Sequence, residues 1–282
     1  MRVFVTGATG QLGWDVCREL DRRGIAHRGA GSRELDVTDA SAVERVLTDF
    51  APDAVIHCAA WTKVDAAEDE PEACWAVNAD GTAHVAAACA RTGAKLVYLS
   101  TDYVFPGTGE TPWRPEDPTG PLSVYGKSKL AGEQAVRTLL DEHFIVRISW
   151  VFGKNGGNFV KTMLRLSESR SILGVVADQI GSPTYTADLA PLLCDMIETT
   201  KYGTYHASNE GECSWAEFAG EIFRRTGRTV TVNRLTTEQY LARAPRPRNS
   251  RLDKSCLTAA GFERLPDWRD ALGRYLKEIE AI

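Results

Sequence analysis

Hydrophobic residues in the first half of the chain form short runs typical of buried strands, separated by longer stretches with helical spacing. Apolar or β-branched runs lie at residues 2–5, 54–57, 94–99 and 144–149. Stretches with the length and pattern of helices lie at residues 12–22, 40–50, 72–92 and 127–140. Because strands that alternate with helices form parallel sheets covered on both faces, we expect a doubly wound α/β fold.

The pattern becomes shorter and less regular after about residue 150. Residues 153–158 are rich in glycine and asparagine, and residues 242–250 combine prolines with arginines, so both stretches are typical of loops. Ser214 and Glu217 have the spacing of a capping box at the start of a helix. We therefore predict a smaller, mixed C-terminal lobe over residues 153–282, with about 175–200 returning to the first sheet.

Composition argues against several classes of protein. The chain has 33 basic and 38 acidic residues, a net charge of -5, which argues against binding to nucleic acid. No apolar run approaches the ~20 residues that span a membrane. The strand at the very start leaves no room for a signal peptide, and the seven cysteines show no metal-ligand spacing. We expect a cytoplasmic protein with reduced thiols and no nucleic-acid or membrane partner.

A glycine-rich loop follows the first predicted strand and opens the first predicted helix. Its glycines are Gly7, Gly10 and Gly13, spaced Gly-x-x-Gly-x-x-Gly. In that context glycines allow a pyrophosphate to approach the N–H groups of the helix N-terminus. The loop predicts a Rossmann-type dinucleotide-binding domain over residues 1–152, although an ordinary turn between strand and helix remains the alternative.

Residues 32–37 follow the next predicted turn and could form the adenosine end of a dinucleotide site. Asp36 and Val37 would line the adenine, while Ser32 and Arg33 would meet a ribose 2′-phosphate. An arginine side chain binds a 2′-phosphate better than an acidic side chain would. We therefore predict NADPH as the cofactor, with NADH as the alternative. The other interpretation of Arg33 is a solvated surface charge.

Tyr125 and Lys129 lie four residues apart at the start of a predicted helix and so share one helix face. A free tyrosine titrates near ~10, and a nearby cation favours the phenolate and would lower that pKa. The pair therefore suits proton transfer, although such spacing also occurs by chance on solvated helices.

Three motifs in this order, the glycine loop, Ser100-Thr-Asp102 and the Tyr125/Lys129 pair, resemble the extended short-chain dehydrogenase/reductase family. Residues 59–65, 100–107, 178–184 and 246–253 further resemble its reductases of 4-keto-6-deoxyhexose nucleotides, and this resemblance covers essentially the whole chain. It implies NADPH-dependent reduction of the 4-keto group of dTDP-4-dehydro-L-rhamnose to dTDP-L-rhamnose.

The resemblance also implies roles for individual residues. Tyr125 would donate the proton, Lys129 would bind the nicotinamide ribose, and Thr101 would hydrogen-bond the substrate oxygen. Asn78 would help to position the lysine. The implied cofactor-binding set is Gly7, Thr9, Gly10, Gln11, Leu12, Gly13, Ser32, Arg33, Asp36, Val37, Ala59, Ala60, Trp61, Thr62, Asn78, Leu99, Tyr125 and Lys129.

A second implied set would bind the sugar nucleotide through the second lobe and the end of the fourth strand. Trp150 would stack on the sugar ring, Asp102 would hold a sugar hydroxyl, and Arg246 would grip the diphosphate. The full set is Thr101, Asp102, Val104, Trp150, Asn158, Arg246, Asn249 and Ser250.

Alternatives remain open at this stage. The chain could reduce another 4-keto-6-deoxyhexose nucleotide, because the same catalytic trio would serve. It could also be a non-catalytic regulatory subunit of the same fold, although Tyr125, Lys129 and Thr101 argue against that. Some related enzymes form a magnesium-bridged dimer; no such ligand set can be assembled here, so we predict no metal and either a monomer or a homodimer.

Overall fold

The largest element of the computed structural model, which describes residues 1–282, is a six-stranded parallel sheet. The strands of the whole chain, β1 to β15, are Arg2–Thr6, Ala26–Ala30, Ala54–His57, Lys95–Thr101, His143–Ile148, Val151–Phe152, Ile172–Val176, Ile180–Gly181, Thr184–Tyr185, Gly203–His206, Asn209–Glu210, Cys213–Ser214, Thr231–Leu235, Asn249–Ser250 and Leu265–Asp267. The large sheet has the order β10-β5-β4-β3-β1-β2. All five of its strand pairs are parallel.

Helices cover both faces of this sheet. The α-helices, α1 to α12, are Gln11–Arg22, Ala40–Phe50, Val64–Ala67, Pro71–Trp75, Gly81–Thr92, Val124–Leu139, Phe159–Leu166, Thr186–Ile197, Trp215–Arg225, Thr237–Tyr240, Ser255–Ala259 and Trp268–Glu278. On one face, α1 and α8 enclose a core with the strands; on the other, α2 and α5 do so. The prediction of a doubly wound α/β fold with a parallel sheet is confirmed.

The helix predicted over residues 72–92 is interrupted by a change of helical winding. It consists of α4, a π-helical turn at Ala76–Asp80, and α5. A π turn inserts an extra residue and often marks a functional position. Here it carries Asn78, whose side chain is fully buried.

Two strands of the large sheet escaped prediction. β2 is largely exposed and contains no β-branched residue, so it lacks the hydrophobic signature of a buried strand. β10 lies far along the chain, beyond the second lobe's first elements, and pairs with β5. The helix before it, α8, buries Leu189 and Leu193 in the same core as Val16 of α1.

The second lobe has its own hydrophobic core, formed around Phe152, Phe218, Trp268 and Tyr275. β7 and β13 form one small sheet, and β12, β8 and β14 form another. The predicted capping box is present at Ser214, where helix α9 begins. The division of the chain at residues 152 and 153 stays a prediction.

Two chain-wide features bear on the expectations from composition. None of the helices is both long and apolar enough to cross a membrane. All seven cysteines are free thiols, and burial raises the pKa of each one, so these thiols are poorly reactive.

Candidate active site

The glycine loop lies where β1 ends, beside β3, at the point where the strand order reverses. Gly7 has a left-handed backbone (φ +64°), and a Cβ on it would lie 2.6 Å from the Ala59 nitrogen. A Cβ on Gly13 would lie 2.3 Å from the Gly7 oxygen. Both positions therefore require glycine, and the loop leaves the N-terminus of α1 without a side-chain cap. Such free backbone N–H groups form a cradle suited to a pyrophosphate.

The second lobe closes over this loop. The side-chain amide of Asn155 donates to the carbonyl oxygens of Thr9 (2.7 Å) and Gly10 (3.3 Å). Asn158, the N-cap of α7, donates to Gln11 Oε1 at 3.2 Å and to the Tyr275 hydroxyl at 2.9 Å. Since its amide is occupied by these structural partners, Asn158 shapes the cleft wall and links the two lobes.

In the connection between β2 and α2, Ser32, Arg33 and Asp36 are exposed and accessible to a ligand. Val37 is buried, and its carbonyl oxygen lies 3.0 Å from His84 Nδ1. The Val37 side chain therefore belongs to the core. It could contact an adenosine only at the buried side of the site.

The segment after β3 is fixed from behind by Asn78. The Trp61 nitrogen donates to Asn78 Oδ1 at 2.8 Å, and Asn78 Nδ2 donates to the Trp61 oxygen at 3.1 Å and the Ser128 hydroxyl at 3.0 Å. Asn78 thus ties residues 59–62 to helix α6, one residue before Lys129. The expected help in positioning the lysine would act through the helix backbone.

Thr101, Tyr125 and Lys129 meet at the carboxyl end of the sheet. Thr101 ends β4, while Tyr125 and Lys129 lie in the first turns of α6, whose N-cap is Ser123. The Tyr125 hydroxyl lies beside the Thr101 side chain. Lys129 is buried, with Nζ 4.2 Å from the centroid of the Tyr98 ring. A proton donor, a hydroxyl and an amine therefore share one cleft.

The pKa values in this cluster differ from the sequence-based expectation. Burial raises the pKa of the Tyr125 hydroxyl, and Lys129 is not among the groups that lower it. Burial also lowers the pKa of Lys129 to about 7. The expectation that Lys129 lowers the pKa of Tyr125 is therefore wrong. Burial raises the Tyr125 pKa more than Lys129 could lower it, because Lys129 itself is only partly protonated near pH 7. Tyr125 is accordingly held in its protonated form.

A buried ion pair lies behind the lysine. Arg147 donates to both carboxylate oxygens of Glu133, each at 2.8 Å, and Ser100 Oγ donates to Glu133 at 2.6 Å. Glu133 partly offsets the effect of burial on Lys129. Because these hydrogen bonds satisfy the buried carboxylate, the pair fixes the middle of α6 against β4 and β5.

Asp102 is almost fully buried, and its Oδ2 atom has no hydrogen-bond partner. Thr101 donates to the other oxygen, Oδ1, at 3.0 Å. Ser250 lies beside Asp102, but its hydroxyl does not reach hydrogen-bonding geometry. Burial raises the pKa of Asp102 to about 6. An unpaired buried acceptor that lines the cleft is suited to a ligand hydroxyl.

Trp150 stands at the cleft wall in a left-handed backbone conformation (φ +50°), which is strained for a bulky residue. Its indole ring lies parallel to that of Trp215 at the start of α9. The stack occupies one face of Trp150, so at most its other face and its edge are available for a sugar.

Arg246 lies in the second lobe next to the main cleft, and its guanidinium is already paired. Its guanidinium donates to Asp65 at 2.6 Å and to the Tyr103 hydroxyl at 3.2 Å. It lines an apolar cavity of about 260 Å³ next to the main cleft. A diphosphate at Arg246 would have to share it with Asp65.

The main cleft has a volume of about 530 Å³ and brings together much of the predicted set. Predicted residues that line it are Gly10, Gln11, Leu12, Ala60, Thr62, Leu99, Thr101, Asp102, Tyr125, Lys129, Trp150 and Asn158. The other predicted residues do not line it, and Val104, Asn249 and Ser250 are three of these. Val104 is fully buried with Phe105 and Leu252, so the prediction that it contacts substrate is wrong. Asn249 and Ser250 are buried too, and Asn249 binds the backbone of Thr111.

Three residues that the sequence did not single out take part in the site: Asp65, Tyr103 and Trp215. Asp65 and Tyr103 lie inside motifs that carried the family resemblance, and that position was the only signal available for them. No group of three or more His, Cys, Asp or Glu side chains is arranged to hold a metal ion.

Comparison with known proteins identifies the family to which the whole chain belongs. A family model, the RmlD substrate binding domain, matches residues 1–281. The chain is 48% identical to a dTDP-4-dehydrorhamnose reductase of Streptomyces griseus, over 96% of this chain and 91% of that one. It is 42% identical to the spore coat polysaccharide biosynthesis protein SpsK of Bacillus subtilis, over 98% and 97%.

A solved structure extends the similarity to three dimensions. The crystal structure of dTDP-4-dehydrorhamnose reductase from Bacillus anthracis in complex with NADP superposes with a TM-score of 0.96 at 46% identity, covering 98% of this chain and 99% of that one. The chain therefore belongs to the RmlD substrate-binding-domain family, and several of its relatives are named dTDP-4-dehydrorhamnose reductases.

Proposed function

We propose that this protein reduces the 4-keto group of dTDP-4-dehydro-L-rhamnose to dTDP-L-rhamnose with NADPH. One observation carries the chemistry: Tyr125 lies with Thr101 and Lys129 in a cleft that also contains the glycine loop. The relatives carry the substrate assignment, because the chain matches dTDP-4-dehydrorhamnose reductases over nearly its full length.

The residues present fit a dinucleotide. The loop from Gly7 to Gly13 would hold the pyrophosphate, since side chains at its two ends would collide with backbone atoms. Arg33 would bind the 2′-phosphate, and Lys129 the nicotinamide ribose. NADPH, when bound, supplies a hydride to the carbonyl carbon of the substrate.

Tyr125 supplies the proton that the reduced oxygen requires. Burial raises the pKa of its hydroxyl, so the proton is present before reaction and leaves only when negative charge develops on the substrate oxygen. Thr101, which lies beside this hydroxyl, would hydrogen-bond the substrate oxygen. Once Tyr125 becomes a phenolate, it favours the charged form of Lys129, which stabilises the anion in turn.

The sugar nucleotide would contact the second lobe. Arg246 would bind the diphosphate, and the unpaired oxygen of Asp102 would accept a hydrogen bond from a sugar hydroxyl. Trp150, held by Trp215, would form the wall against which the sugar ring lies. We further propose that the protein works in the cytoplasm, where its free thiols stay reduced, as a monomer or a homodimer.

A direct assay tests this function. NADPH oxidation would be followed with enzymatically generated dTDP-4-dehydro-L-rhamnose, and the sugar product identified by NMR. We expect turnover and dTDP-L-rhamnose. A 4-epimeric product would select a reductase of another deoxyhexose nucleotide, and no turnover with NADPH or NADH would contradict an enzymatic function.

A further inference from the structure

Tyr103 touches two of the catalytic candidates. Its ring packs edge-on against Tyr125, with centroids 5.5 Å apart and planes at 79°. Its backbone nitrogen donates to Thr101 Oγ1 at 3.2 Å. A Cβ on Gly126 would lie 2.3 Å from the Tyr103 carbonyl oxygen, so the turn that carries Tyr125 packs directly on this residue.

The other end of Tyr103 faces the second lobe. Its hydroxyl accepts a hydrogen bond from Arg246 Nη1 at 3.2 Å. The same guanidinium pairs with Asp65, whose carboxylate also accepts from the Ala244 nitrogen at 3.1 Å. Tyr103 lines both the main cleft and the apolar cavity that contains Arg246. Tyr103 therefore contacts both the proposed acid, Tyr125, and Arg246.

The hydroxyl of Tyr103 distinguishes a positioning role from simple packing. A phenylalanine would keep the edge-on contact with Tyr125 but would lose the bond to Arg246. Burial raises the pKa of Tyr103 to about 12, so the hydroxyl keeps its proton. That proton has no acceptor among the hydrogen bonds of Tyr103, and it is available to an anion bound beside Arg246.

We propose that Tyr103 is a positioning residue that couples the sugar-nucleotide diphosphate at Arg246 to the orientation of the acid Tyr125. This inference rests on the proposed function. The diphosphate would accept a hydrogen bond from the Tyr103 hydroxyl and share the Arg246 guanidinium with Asp65. The Tyr103 ring would then be held between that anion and Tyr125, which keeps the phenol directed at the reacting carbonyl.

A double-mutant cycle tests the coupling. Tyr103→Phe, Arg246→Gln and the double variant would be compared for kcat and KM with the 4-keto sugar nucleotide, and for NADPH affinity by fluorescence. We expect each single change to lower kcat/KM about tenfold, as for a hydrogen bond to a charged group. The double variant should fall little below Arg246→Gln, and kcat should fall even at saturating substrate. NADPH affinity should be unchanged.

Tyr202→Phe is the matched control, because it also removes a hydroxyl bonded to a charged side chain, Glu142, at 2.8 Å but far from the cleft. It should behave as the parent protein. Additive losses in the double variant, or a Tyr103→Phe protein within twofold of the parent, would overturn the coupling alone. A parent protein without turnover would overturn both this inference and the proposed function.

Discussion

The indole rings of Trp150 and Trp215 lie parallel, with centroids 3.7 Å apart and planes at 15°. Trp150 lines the main cleft and Trp215 the neighbouring apolar cavity, so the stack forms the partition between them. Gly181 keeps that partition in place, because a Cβ there would lie 2.9 Å from both the Trp150 ring and the Ser250 Cβ.

Gly181→Ala should therefore displace the partition. Either Trp150 or Ser250 must move, and overpacking of this kind costs about 1–3 kcal/mol of stability. We expect KM for the sugar nucleotide to rise several-fold while NADPH affinity is kept, as measured by steady-state kinetics and cofactor fluorescence. Gly220→Ala on α9 is the control: nothing lies within 4 Å of its Cβ position, so it should not weaken folding. Equal effects of the two changes would argue against the partition.

Tyr125→Phe should abolish most turnover and leave NADPH binding intact. The change removes the proton donor but keeps the ring that packs against Tyr103. General acid catalysis typically contributes a factor of about 10²–10⁴, and kcat should fall by that order. Single-turnover kinetics with the purified variant would measure it, and a kcat near that of the parent would remove Tyr125 as the acid.

A site residue could be predicted from the sequence when its position depends on neighbouring residues in the chain, and not when it depends on contacts with distant segments. Tyr125 and Lys129 lie on one helix, so their spacing alone brings them to one face, and the glycine loop is equally local. The stack of Trp150 on Trp215 joins segments 65 residues apart, and Arg246 meets Tyr103 across 143 residues. The hydrophobic periodicity of a sequence contains no information about contacts between such distant residues. Val104 illustrates the opposite error: it lies two residues after Asp102 in the same motif, but its side chain is buried in the core.

Lys129→Met should increase the free energy of unfolding, because it removes an ionisable amine whose charged form is destabilised by burial. Its pKa is about 7 in the folded protein against 10.5 unfolded. Between these values the unfolded chain binds a proton that the folded one does not, so this group makes stability rise with pH across the window. The cofactor-free variant should be more stable than the parent by a few kcal/mol at pH 7, and the gain should shrink towards pH 10.

Denaturant unfolding at several pH values would measure that difference. Lys127→Met, an exposed position on the same helix, is the control and should show no such dependence. A stability gap that stays constant with pH would show that Lys129 titrates normally in the fold.

Arg33→Ala should weaken the choice of NADPH over NADH. Arg33 is exposed in the connection that follows β2 and would meet the 2′-phosphate, which NADH lacks. We expect kcat/KM for NADPH to fall about tenfold and that for NADH to change little. Arg45→Ala, an exposed arginine on α2, should alter neither value. If the ratio of kcat/KM for NADPH to that for NADH stayed unchanged, Arg33 would be a solvated surface charge with no role in cofactor choice.

The strand Gly203–His206 has a consequence for any attempt to isolate the cofactor-binding part of the chain. It pairs along β5 from Phe144 to Arg147 and completes the sheet from beyond the second lobe. A fragment that ends at residue 152 would leave β5 as a bare edge, with unpaired backbone groups on an apolar strand. Such an edge is a template for self-association, so the fragment should aggregate.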